Sequence, residues 1–111
     1  MITAKLYRNR RGQIHSFEVL DHGKGIVCAA VSVLTLNTVN ALEILTKERF
    51  TCDYDQAGGR LLVNLDCGPK GLVGPPAALL LEAMALGLEG IAQEYKEEIR
   101  IVEDQKPLSK R

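Results

Sequence analysis

The stretch HGKGIVCAAVS, His22 to Ser32, brings a histidine within six positions of a cysteine. A cysteine is the side chain most readily turned into a nucleophile near neutral pH, and an imidazole is suited to take its proton and return it later. If a helix begins at Ile26, Gly25 is its N-cap and Cys28 lies in its first turn. Backbone N–H groups are unpaired there and the helix dipole is positive, which favours thiolate over thiol and can receive an oxyanion. Six extended steps reach ~20 Å, so the Gly23–Lys24–Gly25 segment puts no barrier between His22 and Cys28. Lys24 adds positive potential. Ser32, one helical turn on, shares the Cys28 face, either as a small packing residue or as a hydrogen-bond partner of the sulfur. The same text also reads as a glycine turn leading into an ordinary buried helix, because free cysteine is among the most buried residue types.

The remaining chemistry is sparse. Cys52 falls in a strand-like run with no histidine near it in sequence, and Cys67 precedes a Gly-Pro turn. His15 is mid-strand, which suits a surface or edge position. Three cysteines without paired spacing form no disulfide framework, and no CxxC implies a metal or redox site. GPKGLVG lacks the spacing and the following Ser/Thr of a phosphate-binding loop. No cofactor and no metal are expected. Fourteen basic residues balance fourteen acidic ones among 111. That balance argues against a broad nucleic-acid footprint, so no direct nucleic-acid partner is expected. RNRRG (8–12) is the only dense basic run and reads as a solvated hairpin tip. The opening residues have no apolar core of a signal peptide, and Asn, Glu and Gly interrupt the longer apolar runs. A reduced, cytoplasmic protein with no membrane partner is the expectation.

The elements that must position Cys28 follow from periodicity. ITAKLYRN and QIHSFEVLD flank a turn signal and read as a hairpin. Ile2, Ala4 and Leu6 alternate cleanly, whereas Ile14 and Phe17 do not share a strict alternation. From Ile26 to about Lys47 apolar residues recur at three and four, with Val27, Val31, Leu34, Thr38, Leu42 and Leu45 as the stripe. Val33, Leu36 and Val39 make a second apolar face, to be covered by another helix or another subunit. RFTCDYD and RLLVNLD flank QAGG as a second hairpin. A second helix is predicted from about Pro76 to Lys96, with Leu80, Met84, Leu88, Ile91 and Tyr95 as its core stripe. Beside them, Ala83, Gly87 and Gly90 form a small-residue strip that implies close approach of a neighbour, since each helical glycine costs about 1 kcal/mol against alanine. EIRIVE alternates as a last strand. The expected fold is α+β, a two-layer ββαββαβ arrangement with a mixed sheet and both helices on one face. One domain over 1–103 and a flexible tail over 104–111 are expected, as is a symmetric homodimer using the first helix or a sheet edge.

GIVCAAVSVLTLNTVNALE resembles the signature of the ribosomal-processing cysteine protease family, Prp. LLLEAMALGLEGIAQEYKEEIRI resembles that family's C-terminal helix and strand, and ITAKLYRNRRGQIHSFEV its first hairpin. The resemblance covers most of the chain. It implies small cytosolic homodimers of ββαββαβ layout that remove a short N-terminal extension from a large-subunit ribosomal protein. It maps the catalytic histidine and cysteine onto His22 and Cys28. Members of the family usually read Gly-His-Ala, a longer loop, and an acidic residue where Gly25 stands. Here Asp21-His22-Gly23 leads into a shorter loop. The leading reading is therefore a cysteine endopeptidase with Cys28 as nucleophile and His22 as general base and acid, with Ser32, Gly23, Lys24 and Gly25 as possible supports. The alternative is a non-catalytic ribosome-assembly binding module on the same fold.

Overall fold

The computed structural model describes residues 1–21, 25–55 and 57–105. The elements follow the expected order: β1 (Ile2–Arg8), β2 (Ile14–Leu20), α1 (Ile26–Leu45), β3 (Phe50–Asp55), β4 (Arg60–Leu65), α2 (Pro75–Glu94) and β5 (Ile99–Gln105). The strands form one sheet in the order β3-β4-β2-β1-β5, with β5 parallel to β1 and every other pair antiparallel. β5 runs two residues past the expected boundary at 103, with Asp104 and Gln105 paired to Tyr7 and Arg8. Positions 106–111 of the expected tail lie outside the described residues.

Register decides which face meets the helices. Ala4 opposes Val19, Leu6 opposes Phe17, and Phe17 and Val19 oppose Val63 and Leu61. All six are buried, and they form the centre of the core with Val27, Val31, Leu81, Met84 and Leu88 from the helices. The broken alternation in β2 has a physical cause. The β1–β2 register slips between Tyr7 and Arg8, where Ser16 and Ile14 are successive partners. His15 is the extra residue of this bulge, which returns Ile14 to the core face. His15 is itself fully buried, not at the surface or edge, because the bulge folds it into the sheet.

α1 buries Val27, Val31, Thr35, Thr38 and Leu42. Its two buried threonines donate to carbonyls one turn back, Thr35 Oγ1 to Val31 O and Thr38 Oγ1 to Leu34 O, both at 2.8 Å. Leu45, counted in the stripe, is exposed beside the helix end. Of the second face, Leu36 and Val39 are half-buried against the core, while Val33 is 71% exposed. α2 starts one residue earlier than expected, with Gly74 as N-cap and Pro75 in the first turn, where a missing N–H costs nothing. Both helices are long and apolar enough to cross a bilayer by length and composition. Here each instead buries one stripe against the sheet.

The small-residue strip on α2 resolves into two different glycines. A Cβ on Gly87 would sit 2.6 Å from Leu34 Cδ2, so Gly87 is where α1 and α2 approach, through a leucine side chain. A Cβ on Gly90 would meet nothing within 4 Å, so no neighbour accounts for that glycine. Two substitutions separate these environments. Gly90→Ala should raise the unfolding free energy by about 1 kcal/mol, the helix-propensity difference. Gly87→Ala should fall short of that gain because Leu34 must move. Urea titration of both variants checks this, and equal gains would mean Leu34 does not constrain the helix pair.

Candidate active site

Cys28 is the third residue of α1. The first helical hydrogen bond runs from Ala29 N to Gly25 O at 3.0 Å, so Cys28 lies within the opening turn as expected. Val27 and Val31 on either side of it are buried, whereas Cys28 is half-buried. The sulfur-bearing side chain lines an open cleft of about 290 Å³ together with Met1, Ile2, Asp21, Val27, Glu97 and Glu98.

Strand order accounts for this assembly. β1 and β5 run parallel from the same end, so the turn before β5 brings Glu97 and Glu98 beside Met1 and Ile2. β2 runs back to that end and delivers Asp21, at φ 59°, to the cleft wall. α1 begins there. The three carboxylates of the cleft were not singled out in the sequence, because they come from two turns far apart in the chain, Asp21 from one and Glu97 and Glu98 from the other. The one local signal was Asp21, next to His22.

His22, Gly23 and Lys24 lie outside the described residues. Gly25 is the N-cap at φ 107° and ψ 179°, with no side-chain capping bond. That backbone region is essentially glycine-only, and another residue there costs about 1–3 kcal/mol. Gly25 is therefore more than a neutral stand-in for the acidic residue usual at this position. Glycine is what this loop geometry requires, and an aspartate would be strained in it despite open space around the Cβ.

Ser32 is half-buried and lines a different, narrower cavity with Val19, Thr35, Leu36, Tyr54, Arg60 and Leu61. The other cysteines stand apart. Cys52 is exposed on the edge strand β3, and partial burial, followed by the Asp53 charge, pushes its thiol up. Cys67 follows β4 and its thiol donates to Leu65 O at 3.7 Å. Among the described residues no group of three or more His, Cys, Asp or Glu side chains is arranged to hold a metal ion.

Cys28 thus stands in the opening turn of a helix and lines an open cleft. Residues 1–100 match the family described as cysteine protease Prp. The chain belongs to that family. It is similar to the ribosomal processing cysteine protease Prp of Staphylococcus aureus strain Mu50, with 33% identity over 108 residues, 91% of this chain and 97% of that protein. Prp of Bacillus subtilis strain 168 is 30% identical over 107 residues, 91% of this chain and 96% of that protein. The fold agrees. The crystal structure of S. aureus Prp in complex with a substrate peptide superposes with a TM-score of 0.80 at 29% identity, covering 93% of this chain and 99% of that one. A second S. aureus Prp structure holds a covalently linked product peptide, with a TM-score of 0.80, 33% identity and the same coverage. The chain is a cysteine protease of the Prp fold.

The contrast between Cys28 and Cys52 is measurable. Cys28 stands in the opening turn of a helix, while Cys52 must lose its proton against burial and a neighbouring carboxylate. Iodoacetamide at mildly acidic pH should alkylate Cys28 well before Cys52, read by peptide mass mapping over time. Equal rates across pH would make Cys28 an ordinary thiol.

Proposed function

We propose that this protein is a cysteine endopeptidase that removes the N-terminal extension of a large-subunit ribosomal protein, with Cys28 as nucleophile and His22 as general base and acid. The observation that carries the reading is the half-buried Cys28 in the first turn of α1, opening on the cleft beneath it. The names of the S. aureus and B. subtilis relatives, both ribosomal processing proteases, support the substrate class.

The steps balance with these two groups and water alone. His22 takes the thiol proton as Cys28 Sγ attacks the scissile carbonyl carbon. The carbonyl oxygen becomes an oxyanion, which N–H groups at the start of α1 can stabilise. Collapse of the intermediate breaks the C–N bond, and the imidazolium protonates the departing amine. The N-terminal extension remains as a thioester on Cys28. Water, deprotonated by His22, then attacks the thioester, releasing the extension as a carboxylic acid and restoring the thiol.

The working form in this reading is a cytoplasmic homodimer. Its support is the outer face of the helical layer, where Ile26, Val33 and Ile44 on α1 and Leu79 and Leu86 on α2 are all exposed. Exposed apolar patches of this kind commonly mark a protein interface. This face replaces the one expected from Val33, Leu36 and Val39, two of which the core has partly taken.

A peptide spanning the extension and the first mature residues of the ribosomal precursor tests the reading. The parent should cleave it at one bond, and Cys28→Ala should lower the rate by at least ~10³-fold, the scale seen when a catalytic nucleophile is removed. In sedimentation equilibrium at micromolar concentration the parent should run at about twice its 12.2 kDa chain mass. Equal binding of the precursor by parent and Cys28→Ala, with turnover by neither, would favour the non-catalytic binding module.

A further inference from the structure

The topology separates charge in a way that the balanced composition conceals. The end opposite the Cys28 cleft is built from three connections: the β1–β2 turn (9–13), the α1–β3 loop (46–49) and the β4–α2 loop (66–74). Hydrogen bonds hold them together. Asn9 Nδ2 donates to Gly71 O at 2.9 Å, Gln13 Nε2 to Val73 O at 2.9 Å, and Val73 N back to Gln13 Oε1 at 3.0 Å. Gly74 N donates to Glu48 Oε1 at 2.6 Å and Asp66 N to Arg49 O at 2.7 Å. Asn9 Oδ1 also accepts from the backbone of Arg11 and Gln13, closing the turn on itself.

These loops carry Arg10, Arg11, Lys47, Arg49 and Lys70, all exposed. None of the five is in an ion pair among the described residues, whereas Arg8 next to them is engaged by Glu82 and Glu103. Within the loops the acidic residues are Glu48, whose carboxylate already accepts from Gly74, and Asp66. Glu43 and Asp104 lie further back on α1 and β5. The sequence run RNRRG thus supplies only two of five cations, and the fold brings the other three to it.

We propose that this loop end is an RNA-docking surface that contacts the phosphate backbone. RNA fits better than an acidic protein because the loops themselves carry five cations and Leu72 as their one exposed large apolar side chain, while the exposed Ile44, Leu45 and Leu79 beside them belong to the helical face and not to the loops. Phosphate contact needs only cations on a held backbone, with no base reading. Such docking leaves the Cys28 cleft, with Asp21, Glu97 and Glu98 in its wall, pointing away from the RNA. The proposal goes beyond peptide cleavage and does not depend on it.

Fluorescence anisotropy with a labelled RNA hairpin and the full chain tests it. Binding at about 50 mM salt should weaken roughly 100-fold by 200 mM, as three to five phosphate contacts require. Arg10→Glu with Arg11→Glu, and separately Lys47→Glu with Lys70→Glu, should each weaken binding at least about tenfold. Lys96→Glu, at the opposite end, should leave it unchanged, and all these proteins should keep the parent's circular dichroism. Absence of binding at low salt would overturn the proposal. So would equal losses in Lys96→Glu, which would mean diffuse charge. So would displacement of the RNA by polyglutamate at matched charge, which would point to an acidic protein instead.

Discussion

The burial of Val27 and Val31 against the sheet is the constraint on which the site depends. Each buried valine contributes about 1.5–3 kcal/mol to holding the start of α1 in place. Helical geometry then sets Cys28 about 100° round the helix from Val27, at the margin of the core, where it packs against the core and also lines the cleft. The half-exposure of Cys28 is thus a by-product of packing its neighbours. The helix cannot rotate to hide the thiol without exposing a valine.

The rest of the sheet completes the cleft around that fixed point. β5 pairs parallel to β1, which requires a crossover, and α2 supplies it. α2 can lie beside α1 because Gly87 leaves room for Leu34. The crossover carries the chain back to the end where β1 and α1 begin, and its last turn contributes Glu97 and Glu98. At the opposite end the bidentate hold of Arg8 on Glu82 and Glu103 ties β1 to α2 and β5. One topological choice therefore sets both the acidic surroundings of Cys28 and the basic loops at the far end.

Much of this was legible in the residues. Period-two and helical stripes gave the order of elements because each has one dry face. The irregularity in β2 was visible as a misfit between Ile14 and Phe17. Its consequence was not, since a bulge moves His15 inward and only three-dimensional register shows that. Cys28 could be placed in a helix's first turn from Gly25 and the stripe that follows. The positive φ of Gly25 could not, because glycine takes positive and negative φ about equally readily. Glu97, Glu98, Lys47, Arg49 and Lys70 carried no local signal. Their grouping comes from strand direction, which brings together residues far apart in the chain.

Mass spectrometry of the acid-quenched enzyme, sampled within its first turnovers of the precursor peptide, tests directly whether Cys28 performs the chemistry. The thioester should appear as a mass increase equal to the N-terminal extension less one water, located on the peptide that contains Cys28 and accumulating when water attack is slowed. An adduct on Cys52 or Cys67, or cleavage with no adduct on any cysteine, would contradict the assignment.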